Sequence, residues 1–74
     1  MAESVYKIIE LVGTSTESWE KAAAAAVMRA SKTLRDIRVA EISQLDMNIG
    51  KDGNIESYRA KVKLSFKFED PLTA

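Results

Sequence analysis

The sequence predicts an α+β domain of order β-α-β-β, with a three-stranded antiparallel sheet and one helix lying close against it. Three features predict it. The chain opens on a short β-branched segment, continues through a long stretch with no Gly or Pro, and closes on two long alternating segments joined across Asp52-Gly53. Alternation with a period of two is the mark of a strand, and apolar residues three and four apart are the mark of a helix.

The first strand is read over Val5 to Val12, VYKIIELV, which is rich in β-branched and aromatic residues. Val5, Ile9 and Leu11 share one face, and Tyr6, Ile8 and Val12 share the other with Glu10. Both faces are therefore partly apolar. Gly13-Thr14-Ser15-Thr16 punctuates the chain, and Ser15 or Thr16 is expected to cap the helix that follows. That helix is read over Glu17 to Arg35, with Glu17 and Glu20 in its first turn and Lys32 and Arg35 at its end, as the helix dipole favours. Trp19, Ala23, Ala26, Val27, Ala30 and Leu34 form its apolar stripe, and the alanine run lets it lie close against a sheet.

The second strand is read over Ile37 to Ile49. Ala40 and Ile42 are apolar at even positions, but Leu45, Met47 and Ile49 at odd ones. A regular strand cannot change phase in this way, so a bulge or bend is expected near Ser43-Gln44. Gly50 to Asn54 reads as a hairpin turn. The third strand, Ile55 to Glu69, sends Tyr58, Ala60, Val62, Leu64, Phe66 and Phe68 to one face and Arg59, Lys61, Lys63, Ser65, Lys67 and Glu69 to the other. Asp70 to Ala74 reads as a frayed tail.

A helical connection makes the first two strands parallel, and a tight hairpin makes the third antiparallel to both. Only the order 1-3-2 is then antiparallel throughout. Strands of ~13–15 residues span about 45 Å, whereas a helix of ~19 residues spans about 28 Å. The sheet overhangs its helix, and the uncovered apolar surface calls for partner subunits.

Composition bounds the function. The 74 residues suffice for one domain, 1–74, with an ordered core over about 4–70. Eleven basic residues balance eleven acidic ones, so the surplus of positive charge that phosphate backbones demand is missing and no nucleic-acid partner is expected. The absence of Cys and His excludes disulfides and thiolate metal sites, and removes the commonest general base and transition-metal ligand. No apolar run reaches the ~18–20 residues of a membrane span. The opening Met-Ala-Glu-Ser lacks the pattern of a signal peptide. A cytoplasmic location, with no membrane partner, is the expectation. No nucleophile motif or phosphate-cradling glycine loop occurs; Ser18-Trp19-Glu20-Lys21 matches S-x-x-K only as a short pattern. The chain is therefore not expected to be an enzyme.

The segment VYKIIELVGTSTESWEKAAAAAVMRASKTLRDIRVAEI, the GKDG hairpin and YRAKVKLSFKFED closely resemble the dodecin family over about residues 5–70. The most specific parts are ELVGTS, RASKTLRD and VKLSFKFE. The resemblance implies a β-α-β-β fold with the sheet wrapped around its helix, and a hollow homododecamer of cubic 23 symmetry, with the chain itself as partner. It further implies a role in binding or storing small ligands: flavins such as riboflavin or FMN, stacked between Trp side chains at two-fold contacts, or in some members coenzyme A.

This chain departs from the flavin pattern. The stacking Trp falls on Val39, just before the shared Glu41, so that Trp-Phe-Glu becomes Val39-Ala40-Glu41. A ligand-contacting Arg falls on Asp46, the Gln that grips the flavin ring edge falls on Arg59, and a late Arg falls on Lys67. Loss of a stacking ring alone costs on the order of 1–3 kcal/mol. Guanidinium donates hydrogen bonds but accepts none, unlike the Gln amide. Flavin binding is thus expected to be weak or absent, with FMN ahead of riboflavin through phosphate contacts to Arg59 and Lys67.

Ser18-Trp19 at the helix start resembles the calcium-binding branch of the family. That likeness implies the alternative of an ion-binding cage without an organic ligand, with Ca2+ as the ion and Glu17 as the candidate metal ligand. Each of these residues also has a plainer reading. Trp19 fits an anchor of the first helical turn better than a stacking platform. Glu17 fits a carboxylate complementing the helix dipole. The basic stripe Arg59, Lys61, Lys63 and Lys67 fits a solvated strand face, or ion pairs between subunits with Glu41 and Asp46.

Overall fold

The computed structural model describes residues 3–67. Its elements are β1 (Tyr6–Ser15), α1 (Trp19–Ala30), β2 (Ile37–Ile49) and β3 (Ile55–Lys67), in one sheet of order β1-β3-β2. Both pairings are antiparallel. This is the predicted topology. The predicted Phe68 and Glu69 of the third strand, and the tail from Asp70, lie outside the described residues.

β1 begins where expected but runs on to Ser15, through Gly13. Gly13 is buried, and a Cβ there would lie 2.0 Å from the Ala22 carbonyl oxygen. The glycine thus serves close approach of strand and helix rather than punctuation. Neither Ser15 nor Thr16 caps α1. The cap is Ser18, in extended conformation, whose hydroxyl accepts from the Lys21 N–H at 3.1 Å. The Ser15 hydroxyl instead accepts from the Glu17 N–H at 3.0 Å. Glu17 accordingly precedes the cap, and Glu20 is the carboxylate of the first turn.

α1 also ends earlier than its composition suggests, at Ala30 rather than Arg35. Ser31 donates its hydroxyl to the Met28 carbonyl at 2.9 Å, and Thr33 and Leu34 both return backbone N–H bonds to the Ala30 carbonyl. Side-chain hydroxyls that bond nearby carbonyls compete with helix propagation. Asp36 then turns the chain into β2 in the left-handed region, at φ 59°, which Asp tolerates better than most residues.

β2 matches its predicted span, and the phase change is a register shift between Ile42 and Gln44 against Val62 and Lys61. Two further shifts, at Ile37/Val39 and Asn48/Ile49, were not legible from alternation. The hairpin closes through Gly53 at φ 85° and through Gly50 and Asn54, whose N–H and carbonyl bond at 2.8 Å.

The core is small. Ala22, Ala26 and Ala30 of α1 meet Ala60, Val62 and Leu64 of β3, with Ile9, Leu11, Ala23, Val27, Leu34 and Ile37 packed around them. The helix stripe is thus centred on Ala22, Ala26 and Ala30. Its 12 residues span about 18 Å and lie over β1 and β3. The 13-residue strands span about 43 Å. Ile42, Leu45, Met47, Ile49 and Ile55 stay 39–59% exposed beside and beyond the helix.

Candidate ligand-binding face

Opposite residues in a sheet share a face, so the register defines the surface turned away from α1. Across it, Ile8, Ser65 and Val39 form one row, Glu10, Lys63 and Glu41 the next, then Val12, Lys61 and Gln44, and finally Thr14, Arg59 and Asp46. Lys67, opposite Tyr6, lies at the end nearest Val39. The structure therefore places all five predicted organic-ligand residues, Val39, Glu41, Asp46, Arg59 and Lys67, on one sheet face.

It does not bring all five together. Ser65, opposite Val39, and Arg59 are six residues apart along β3, about 20 Å. Val39, Glu41 and Lys67 form one group near the open end of the sheet, and Asp46 and Arg59 form another nearer the hairpin. No single chain can close both groups around a ring-sized ligand.

Val39 is 55% exposed and flanks Ser65 together with Ile8, itself 60% exposed. Val39 and Ile8 themselves offer no π-face, and the aromatic ring at this end of the sheet face is Tyr6, 47% exposed and opposite Lys67. Arg59 is held within its own chain. Its Nε donates to the Asp46 carboxylate at 2.7 Å and an Nη at 3.4 Å. The pair is therefore intramolecular, a correction to the expectation of a contact between subunits for Asp46. The hydrogen bond from Arg59 holds the Asp46 carboxyl below the usual carboxylate range, and the same bond holds Arg59 above its ordinary value.

Trp19 takes the anchoring role. Its indole N–H donates to the Asp46 backbone carbonyl at 3.0 Å, and its ring meets Tyr58 edge-on with centroids 5.0 Å apart. A half-buried indole that finds an acceptor and an edge-to-face partner is a packing element. Asp46 thus joins the two sheet faces, its carboxylate to Arg59 and its carbonyl to Trp19. This junction escaped sequence reasoning because it depends on register. Glu17 stands apart from the sheet-face residues and pairs with Lys21 one turn on. Among the described residues, no three carboxylates converge to hold a metal ion.

Two further features were missed. Ser43, the bulged residue, donates to the Lys61 carbonyl at 3.2 Å and approaches Glu10 at 3.4 Å. On the helix side, Trp19, Glu20, Ala23, Ile42 and Leu45 line an open, largely apolar groove of about 490 Å³. The exposed apolar positions of the second strand were the available signal for it.

Comparison with known proteins decides the family. The dodecin family model matches residues 5–69. The chain belongs to the dodecin family. It is 52% identical over 64 residues to calcium dodecin of Mycobacterium tuberculosis, covering 86% of this chain and 89% of that protein. Dodecin of Thermus thermophilus is 41% identical over 66 residues, covering 89% and 94%. The structure of dodecin from Streptomyces coelicolor superposes with a TM-score of 0.85 at 36% identity, covering 95% of this chain and 99% of that one. The crystal structure of the mycobacterial calcium dodecin, described as a calcium-chelating antigen with a novel calcium-binding site, gives a TM-score of 0.79 and 48% identity, covering 92% and 96%. Dodecins are non-enzymatic binding proteins, as expected from the missing catalytic motifs. In this dodecin no helix of the described residues is long and apolar enough to cross a membrane.

Proposed function

We propose that this dodecin assembles into a homododecameric cage for small ligands in which flavin stacking is weak or absent. The observation that carries the reading is the sheet face itself. It presents the aliphatic Val39 where the family resemblance places a stacking ring, and an Arg59 whose guanidinium is held by Asp46 through two of its donors and accepts no hydrogen bond. The ~20 Å between the two candidate groups also fits a site completed only between copies.

Titration with riboflavin and FMN, followed by quenching of flavin fluorescence, tests the reading. Weak or undetectable binding is expected, with FMN ahead of riboflavin through its phosphate and Lys67. Val39→Trp restores one stacking ring and is expected to tighten flavin binding ~10–100-fold, the equivalent of about 1–3 kcal/mol per ring. Adding Arg59→Gln supplies an acceptor as well as donors and strengthens binding further. Submicromolar riboflavin binding by the unmodified protein contradicts the reading.

A second reading is supported by the 52% identity to a calcium dodecin: the cage binds Ca2+ and no organic ligand. Calcium takes six to eight oxygens, so carboxylates and carbonyls of several copies would have to share the ion, with Glu17 as one ligand. Calorimetric titration with Ca2+ is expected to show binding that Glu17→Gln weakens. Unchanged binding in that variant removes Glu17 from the site.

A further inference from the structure

We propose that Asp52-Gly53 is a latent isoaspartate site, which the folded hairpin turn keeps closed by clamping the Asp52 carboxylate on Asn54. The chain carries Asp at positions 36, 46, 52 and 70, and only Asp52 is followed by Gly; the others precede Ile37, Met47 and Pro71. The following residue matters because its backbone nitrogen is the attacking group, and glycine has no Cβ to obstruct it. No atom lies within 4 Å of the place where a Cβ on Gly53 would stand. Asp52 and Gly53 are both exposed, so water reaches the bond.

The reaction needs only water. The Gly53 nitrogen gives its proton to solvent and attacks Cγ of the protonated Asp52 carboxyl. The N–Cγ bond forms, the Cγ–OH bond breaks, and the hydroxyl takes a proton from solvent and leaves as water. Water then opens the resulting succinimide. Opening at the side-chain carbonyl returns Asp. Opening at the main-chain carbonyl leaves isoaspartate, in which Cβ has entered the backbone. The lengthened turn no longer matches the loop that the Gly50 N–H closes on the Asn54 carbonyl at 2.8 Å.

The folded turn opposes the first step in three ways. The Gly53 N–H donates to the Gly50 carbonyl at 2.9 Å, which occupies the attacking nitrogen. Both Asp52 oxygens are held. Oδ1 accepts from the Asn54 backbone N–H and Oδ2 from the Asn54 side-chain amide, each at 3.0 Å. Cγ therefore cannot swing onto the Gly53 nitrogen without breaking both bonds. Gly50 leaves the space this carboxylate takes, since a Cβ there would stand 3.1 Å from Oδ1. Finally, hydrogen bonds to the ionised form stabilise it, and those from Asn54 hold the Asp52 carboxyl below the usual carboxylate range. The ionised carboxylate is the poorer electrophile. Local opening of the hairpin releases all three restraints together.

The test ages the whole protein at about pH 5, just above the ordinary carboxylate pKa of about 4, both folded and in a denaturant concentration that abolishes its circular dichroism spectrum. Proteolytic peptides are then separated from their isoaspartyl isomers of equal mass, which isoaspartyl methyltransferase labels. Isoaspartate is expected at Asp52 first, and roughly tenfold more slowly in the folded protein, because the turn's hydrogen bonds must open beforehand. Asn54→Ala removes the side-chain half of the clamp and is expected to speed the folded reaction roughly fivefold, with no change in the denatured chain. Asn54→Asp keeps the shape but sets a carboxylate against Asp52, and is expected to speed it at least as much. The backbone bonds of Gly50 and Gly53 remain available in both variants, so both are expected to keep the folded spectrum. Equal rates in the folded and denatured unmodified protein overturn the proposal, as does isoaspartate forming first at another Asp. Folded variants that react no faster than the unmodified protein overturn the role of Asn54.

Discussion

Gly13 and Asp46 carry more of this molecule than their neighbours do. A methyl group at position 13 would overlap the Ala22 carbonyl at 2.0 Å, a backbone atom that cannot move without shifting the helix. Gly13→Ala is therefore expected to destabilise the protein by about 3 kcal/mol, the upper part of the overpacking range, as read by denaturant unfolding. The residue was legible as a glycine that breaks a pattern, but a glycine at a turn and one under a helix look alike in sequence. Asp46 was placed in the candidate site by resemblance alone, and its bond to Arg59 needed the register. Because the Arg59 hydrogen bond depresses the Asp46 pKa, this contribution to stability is present above the ordinary carboxylate pKa of about 4. It is lost as pH falls through the lower folded value. Asp46→Asn is expected to flatten the acid limb of stability below about pH 4, measured by thermal unfolding across pH. An unchanged acid limb would assign that dependence to other carboxylates, with Asp52 the first to examine, since hydrogen bonds from Asn54 lower its pKa too.

Among the elements, β2 and β3 were legible because long alternation has one reading, and the shift at Ile42/Gln44 because a period of two cannot change phase without an extra residue. The ends of α1 were not. Ser15, Thr16 and Ser18 all qualify as caps by type, and the structure uses Ser18, while the Ser15 hydroxyl serves the Glu17 N–H in the preceding turn. At the other end, RASKTLRD has good helical propensity, yet the Ser31 and Thr33 hydroxyls turn back to the Met28 and Ala30 carbonyls. Ser18→Ala removes the acceptor for the Lys21 N–H and is expected to cost about 1 kcal/mol, visible as a lower thermal midpoint. Thr16→Ala, at a residue first considered for the same role, is expected to leave that midpoint nearly unchanged. Equal effects of the two substitutions would contradict the assignment of the cap.

At the scale of the whole molecule, one chain is an incomplete object. Its core rests on four alanines, one valine and one leucine, all small or medium side chains. Larger apolar residues stand exposed on both sheet faces, with Ile8, Val12 and Val39 on one and Ile42, Leu45 and Ile49 on the other. A chain of this size buries a modest share of its surface and is marginal alone. The overhang was legible from strand and helix lengths, but the separation of the two candidate ligand groups was not, since only the pairing register reveals it. Both observations support the proposed assembly, in which neighbouring copies would cover the apolar faces and complete the binding face. Light scattering of the unmodified protein at micromolar concentration tests this most directly. Twelve chains of 8.2 kDa should give a mass on the order of 100 kDa, and a stable monomer or dimer would contradict the account.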